Sequence, residues 1–167
     1  AMVAAGADIL DIGGESTRPG ADFVPVSEEI TRTLPVIAAL RGAGLRTPIS
    51  IDTRKSAVAE AAVSAGANLV NDVSGFTFDP ALGPLCQTLG LPVCVMHAQG
   101  DPATMHLDPR YDNVLLDVYD ALERQIAVLE ASGIPRSAIL ADPGIGFGKT
   151  QEHNLALLAR LSLFHAL

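Results

Sequence analysis

The sequence predicts an α/β fold in which parallel strands alternate with helices. Five short apolar segments have strand character, at residues 7–12, 48–52, 68–72, 92–97 and 138–142. A longer segment with helical character follows each of them, and no hairpin signal or low-complexity linker interrupts the alternation. Because parallel strands need crossover connections, this order indicates one parallel sheet built from five β-α units.

Two closures of such a sheet are compatible with the sequence, an open doubly wound sheet and a closed (β/α)₈ barrel. A barrel usually needs about 250 residues, whereas this chain has 167. Five units would therefore make roughly two-thirds of a barrel. The chain also begins in helix-like sequence rather than with Met and a first strand, which predicts that residues 1–167 are one partial domain.

Capping and stop signals delimit the helical segments. Ser27 is the expected N-cap of the first helix, and Glu28 and Glu29 suit the positive end of its first turn. Pro35 in the interior of this helix predicts a kink. The other predicted helices span residues 56–66, 79–90, 111–132 and 151–167.

Composition restricts the possible partners. Hydrophobic residues make up 49% of the chain and aromatic residues 4%, so the core must consist of Ala, Val, Ile and Leu. The net charge of −8 argues against nucleic acid as a partner, because phosphate binding needs clustered Lys and Arg. We see no apolar run long enough for a membrane, no signal peptide, and no metal or disulfide pattern in Cys86 and Cys94. These features predict a cytoplasmic protein with reduced thiols.

Polar residues stand at the carboxyl end of each predicted strand. In a parallel barrel these ends converge on one face, where the active site lies. The alternative is that the Asp and Asn residues cap the helices that follow. The polar residues are Asp11 with Glu15, Asp52, Asn71 with Asp72, His97, and Asp142.

The segment DPGIGFGKT, after the last predicted strand, approaches two nucleotide-binding motifs and satisfies neither. A Walker A loop needs Gly where Pro143 stands, and a dinucleotide fingerprint needs Gly where Lys149 stands. We predict that Gly144, Gly146 and Gly148 serve backbone geometry instead, which lets a flat ligand come close to the main chain.

The two histidines near the fourth strand do not predict a metal site. His97 and His106 are nine residues apart, with no third ligand spaced for the same ion. His97 is either a pocket wall or a core residue with satisfied hydrogen bonds. Met96 is either core packing or a contact for the face of a flat ring.

Asp52, Asn71 and Asp142 form the most informative set. Each follows apolar strand residues, so its polar group lies at the edge of a region of low dielectric, where an unpaired charge is costly. A carboxylate accepts two adjacent N–H groups, and an Asn amide both donates and accepts. The trio therefore suits an aminopyrimidinone ring, such as a pterin or a guanine-like ring.

Four segments, taken together, resemble the dihydropteroate synthase family and occur in that family's order. They are DIGGESTRPGA, SIDTRKSAVAEAAVSAGANLVNDVSG, VCVMHAQGDPATM and LADPGIGFGKTQEHNLALLARL. The resemblance covers essentially the whole chain. It implies a (β/α)₈ barrel with a pterin pocket inside its mouth, of which this chain would supply the second to sixth strands.

The resemblance also implies roles for individual residues. Asp52, Asn71 and Asp142 match residues that bind the pterin, and Met96 and Phe147 match residues that line the same pocket.

A mobile loop of the family is matched by Thr17, Arg18 and Pro19, and it helps to hold p-aminobenzoate and the pyrophosphate. In the family reaction the amine of p-aminobenzoate attacks the methylene carbon of the pterin diphosphate, and Mg²⁺-bound pyrophosphate leaves. Asp52, Asp142 and Arg18 are accordingly the expected catalytic residues, the two carboxylates by electrostatic stabilisation.

Parts of the family pattern are absent from these residues. They include the first strand, whose loop supplies an Asn on the Mg²⁺ and pyrophosphate side, and the Lys and Arg-His segments of the last two strands. We therefore expect the main Mg²⁺ ligand outside this chain, no metal ligand within it, and a homodimer for the full-length protein. A methyltetrahydrofolate-dependent methyltransferase of the same barrel and an inactive fragment that only binds pterin remain alternatives.

Overall fold

The computed structural model describes residues 1–18, 20–100, 104–105 and 107–167. In this part of the chain five strands alternate with five helices. The strands are β1 (Leu10–Gly13), β2 (Ile49–Asp52), β3 (Leu69–Asp72), β4 (Val93–Met96) and β5 (Ile139–Asp142). The helices are α1 (Val26–Gly42), α2 (Ser56–Ser64), α3 (Leu82–Leu89), α4 (Val114–Ala131) and α5 (Gln151–Ala159). Short 3₁₀ helices span Val3–Ala5, Arg136–Ala138 and Leu161–Ala166.

The strands form one sheet in the order β1-β2-β3-β4-β5, and every neighbouring pair is parallel. A doubly wound sheet reverses its strand order at a switch point. The described sheet has no such reversal, and its order is that of a barrel wall. The prediction of an α/β fold with five β-α units is therefore confirmed, and the doubly wound alternative is wrong for this sheet.

Aliphatic residues on the three central strands form the core beneath the helices. Ile49 and Ile51 of β2, Val70 of β3, and Val93 and Val95 of β4 expose none of their surface. Burial of such side chains is worth about 1.5–3 kcal/mol each. The helix residues in the same cluster include Val58, Ala59, Val118, Leu122 and Ile126.

The predicted N-cap of α1 is wrong by two residues. The helix begins at Val26, and Pro25 stands at the N-cap position with no side-chain hydrogen bond. Ser27 is thus already helical and cannot cap, and its carbonyl accepts the hydroxyl of Thr31 at 2.8 Å. Pro fits this entry because its fixed φ suits the extended residue before a helix.

Two other helix ends differ from those that the sequence pattern predicts. Helix α4 begins at Val114 rather than at residue 111, because the side chain of Asn113 accepts the N–H groups of Leu115 and Leu116. The final predicted helix is two elements, since Arg160 leaves helical geometry and a 3₁₀ helix follows α5. No helix in the described ranges is both long and apolar enough to cross a membrane.

Candidate active site at the carboxyl ends of the strands

The strand register brings the polar trio to one face of the sheet. Asp52 lies opposite Asn71, Asn71 lies opposite Cys94, and Met96 lies opposite Asp142. Residues paired across parallel strands point to the same face, and side chains alternate along each strand. Asp52, Asn71, Met96 and Asp142 therefore share the face that is opposite to the aliphatic core.

Alternation excludes two of the predicted strand-end residues from this face. Asp72 is fully buried on the core side, where its carboxylate accepts the N–H groups of Ser74 at 2.7 Å and Phe76 at 2.8 Å. Its function is to order the turn after β3, as the capping alternative predicts. His97 follows Met96 and is also turned away from the trio.

Asp52 is the carboxylate most perturbed by its surroundings. Burial raises its pKa to about 7, and the negative charges of Asp11 and Asp72 add to the effect. Its neighbour across the register is Gly13, where a Cβ atom would stand 3.3 Å from the Asp52 Cβ and Oδ2 atoms. Glycine thus leaves room for the Asp52 carboxyl group, which needs a donor to stabilise its charge.

Asn71 is oriented by the first strand. Its Nδ2 donates to Oδ2 of Asp11 at 3.2 Å, and the Ser50 hydroxyl donates to the other oxygen of the same carboxylate. Asp11 therefore acts through Asn71, since it fixes which way the amide points. The sequence placed Asp11 among the strand-end residues, and the structure gives it this orienting contact.

Asp142 is held by the glycine turn that follows β5. Its Oδ1 accepts the N–H of Gly144 at 2.8 Å. Gly144 has φ +67°, and a Cβ atom there would stand 1.9 Å from the carbonyl oxygen of His97. No other residue fits, so this glycine serves backbone geometry, as the sequence predicted.

The same turn places Phe147 beside an open cleft of about 360 Å³. Phe147 is half-buried, whereas Met96 is buried, with 3% of its surface exposed. The cleft is also lined by Arg54, Val73, Ser74, Phe78, Ala98 and Met105, among other residues. The cleft therefore has apolar walls at Phe78, Met105 and Phe147 and polar groups at Arg54 and Ser74.

The loop after β1 places its predicted residues less closely. Thr17 is half-buried and Arg18 is exposed. Among the described residues, neither side chain donates a hydrogen bond to the trio. Pro19 and His106 lie outside the described residues.

His97 and Lys149 form a buried polar contact behind the glycine turn. Lys149 Nζ lies 3.0 Å from His97 Nδ1 and donates to the carbonyl oxygens of His97 at 3.2 Å and Phe147 at 2.9 Å. Burial and the Lys149 charge lower the pKa of His97 to about 4, so the imidazole accepts as a neutral ring. His97 is therefore a satisfied buried residue, one of its two predicted states.

Sequence reasoning missed a buried ionic network next to the trio, formed by Glu15, Glu29, Arg54 and Lys55. Glu29 was interpreted only as a charge at the start of α1, but its side chain is fully buried and lies 2.5 Å from Lys55 Nζ. Lys55 also lies 3.0 Å from Glu15 Oε1, and Arg54 lies 3.0 Å from Glu15 Oε2. The partners are 26 to 40 residues apart in sequence, and only the position of Arg54 and Lys55 directly after Asp52 and Thr53 could have indicated them.

Among the side chains that the structure describes, no group of three or more His, Cys, Asp or Glu residues could hold a metal ion.

The whole chain, residues 1–167, matches the family model for pterin binding enzyme. It is 46% identical over 164 residues to a dihydropteroate synthase of Escherichia coli. The match covers 98% of this chain and 57% of that protein. It is 50% identical over 167 residues to a probable bifunctional folylpolyglutamate synthase/dihydropteroate synthase of Haloferax volcanii, covering 100% of this chain and 20% of that protein.

Solved structures agree with these relatives. A Yersinia pestis dihydropteroate synthase in a sulfonamide drug complex superposes with TM-score 0.94 at 43% identity, over 98% of this chain and 59% of that one. A Burkholderia cenocepacia dihydropteroate synthase complexed with 7,8-dihydropteroate gives TM-score 0.86 at 46% identity, over 96% of this chain and 57% of that one. The chain thus spans less than two-thirds of each of these relatives.

Proposed function

This chain belongs to the pterin-binding enzyme family, and from that premise we propose that it supplies the pterin half of a dihydropteroate synthase. The reaction joins 6-hydroxymethyl-7,8-dihydropterin diphosphate to p-aminobenzoate. The amine nitrogen forms a bond to the methylene carbon as the bond from that carbon to the diphosphate oxygen breaks. The products are 7,8-dihydropteroate and diphosphate, and the amine loses one proton.

One observation carries this proposal most directly: two carboxylates and an amide share one face of the sheet, at the carboxyl ends of its strands. Asp52 and Asp142 accept hydrogen bonds when ionised, and the amide group of Asn71 is oriented by its hydrogen bond to Asp11. The aminopyrimidinone edge of a pterin offers adjacent N–H donors to the carboxylates and acceptors to the amide. Its flat faces suit Phe147 and Met96.

The same residues have a catalytic role in this proposal. Positive charge develops on the pterin methylene carbon as diphosphate leaves, and the Asp52 and Asp142 carboxylates stabilise that charge through the ring. Arg18 supplies a positive charge opposite the leaving diphosphate, and its loop, with Thr17 and Pro19, helps to hold p-aminobenzoate and the diphosphate. These loop assignments follow the family pattern.

Mg²⁺ is the cofactor that we propose for the reaction, and the described side chains contain no group of three or more His, Cys, Asp or Glu residues placed to hold a metal ion. We propose that the ion arrives with the diphosphate and is ligated by residues outside this chain. Its charge would neutralise the leaving oxygens.

We also place the complete protein in the cytoplasm as a homodimer. Light scattering on a size-exclusion column tests the dimer, and a monomeric mass at micromolar concentration would refute it.

The experiment that tests the function compares two proteins. One is encoded by the longest reading frame that contains these residues, and the other is residues 1–167 alone. We expect the first to form dihydropteroate and the second to form none, because β1 and β5 each have one neighbour in the described sheet and present unpaired edges. Equal turnover by both would refute the partial-barrel interpretation. Methyl transfer from methyltetrahydrofolate, without dihydropteroate formation, would favour the methyltransferase alternative.

A further inference from the structure

The connection between β1 and α1 has a buried end and an exposed middle. Val24 keeps 7% of its surface exposed, while its neighbour Phe23 exposes 60%. Near the middle, the N–H of Ala21 donates to the carbonyl of Arg18 at 3.0 Å. Val24 and the side chain of Glu15, which are buried, lie at its two ends.

A single carboxylate joins those two ends. Glu15, at the start of the connection, accepts the N–H of Val24 through Oε1 at 2.9 Å. Lys55 Nζ lies 3.0 Å from the same oxygen and donates to the carbonyl of Val24 at 2.7 Å. Glu15 and Lys55 thus hold both polar groups of the Val24 backbone.

The cations that hold Glu15 come directly after Asp52 in sequence. Arg54 Nε donates to Oε2 of Glu15 at 3.0 Å, and its guanidinium lies 4.1 Å from the centre of the Phe78 ring and 6.0 Å from that of Phe23. Lys55 Nζ lies 4.6 Å from the centre of the Phe23 ring. One short segment therefore carries a residue of the pterin face and both anchors of the connection.

We propose that Glu15 is a positioning residue that closes the connection into a loop, and that this closure sets Thr17 and Arg18 for the second substrate. The proposal rests on the function proposed above for Thr17 and Arg18. Glu15 acts through the loop and touches neither substrate. Its loss should weaken the use of p-aminobenzoate while the binding of the pterin at Asp52, Asn71 and Asp142 persists.

The test variant is Glu15→Gln, made in the protein from the longest reading frame. The amide is isosteric, but it removes the charge and places a donor against Arg54 or Lys55. Glu28→Gln is the matched control, because Glu28 makes an exposed ion pair with Arg32 on α1. Glu15→Asp is the second variant, since it keeps the charge and shortens the reach if Glu15→Gln folds poorly.

Two readouts separate closure from function. The amide of Val24 should exchange with solvent roughly tenfold faster or more in either Glu15 variant, because its charged acceptor is lost or displaced. The KM for p-aminobenzoate should rise by a similar factor, while calorimetry gives an unchanged Kd for a pterin. Glu28→Gln should change neither quantity.

Unchanged exchange at Val24 would show that Glu15 does not close the loop and would overturn the proposal. Faster exchange with an unchanged KM would overturn the positioning role, and an equal loss of pterin affinity would show a general structural effect instead. If the unsubstituted protein forms no dihydropteroate, the proposed function fails on its own, and exchange at Val24 still decides whether Glu15 closes the loop.

Discussion

Two groups of carboxylates lie near the carboxyl ends of β1 and β2, and the charges around them differ in sign. Burial raises the pKa of Asp52 to about 7, and the negative charges of Asp11 and Asp72 add to the effect. Glu15 is also penalised by burial, yet hydrogen bonds from Arg54, the Val24 N–H and Lys55 outweigh that penalty and lower its pKa. The two groups are linked by one segment, residues 52–55.

This difference in surrounding charge separates the carboxylates that stabilise the fold from those that are available to bind a ligand. A buried carboxylate with cations around it is already compensated, so its removal damages the structure. A carboxylate that lacks a nearby cation gains most when a ligand brings donors to it. Glu15 and Glu29 are of the first kind, and Asp52 is of the second.

The largest expected effect comes from breaking the compensated group with Lys55→Met. This change leaves Glu29, which is fully buried, without its cation. Loss of one partner of a buried ion pair costs about 3–5 kcal/mol of unfolding free energy. Urea unfolding measures it, with Arg136→Met as control, since the exposed Arg136 side chain pairs with Glu130, and an exposed pair is worth about 0–1 kcal/mol. Similar losses in both variants would mean that the buried network adds nothing special.

The next effect concerns the ligand side of the comparison, through Asp142→Asn. One acceptor oxygen becomes a donor that faces a ring N–H, while the remaining oxygen still accepts from Gly144. We expect pterin affinity to fall by about 2–4 kcal/mol, with little loss of stability. Calorimetry with a pterin measures the change, and Asp120→Asn on the exposed side of α4 serves as control. Unchanged affinity would remove Asp142 from the site.

These two predictions show how far sequence reasoning reached. It gave the β-α alternation because strand and helix periods are local properties. It also identified Asp52, Asn71 and Asp142 as candidates, since a polar residue at the end of an apolar segment can be recognised from the sequence alone. The strand register in the structure then places Asp52, Asn71 and Asp142 on one face of the sheet.

What the sequence could not supply depends on distant pairing. Glu15 and Arg54 meet across 39 residues, and nothing local to either residue indicates the other. The sequence likewise could not show on which face of the sheet the side chains of Asp72 and His97 lie, because a shift of one residue at a strand end reverses the face. The predicted start of α4 was wrong because the side chain of Asn113 caps the helix, which the pattern of apolar residues does not indicate.

The smallest expected effect is the pH dependence that Asp52 gives to the ligand-free protein. Its pKa is about 7 in the folded state and about 3.9 in an unfolded chain. At pH values between these two pKa values, Asp52 keeps its proton in the folded protein and loses it in the unfolded chain. The free energy of unfolding therefore falls as pH rises toward 7. Asp52→Asn cannot titrate and removes that loss. We therefore expect a melting temperature above that of the unsubstituted protein at pH 8, by about 2–4 °C for each kcal/mol relieved.

At pH 4 the difference in melting temperature should nearly vanish, because Asp52 is then protonated in the folded protein and resembles a neutral amide. Differential scanning calorimetry at the two pH values measures this, with Asp120→Asn as the control that should show no such difference. A melting temperature for Asp52→Asn that is lower at pH 8 would mean that Asp52 is already compensated by the fold, like Glu15. Asp52 would then belong with the acids that hold the structure, and a ligand would gain nothing by bringing donors to it.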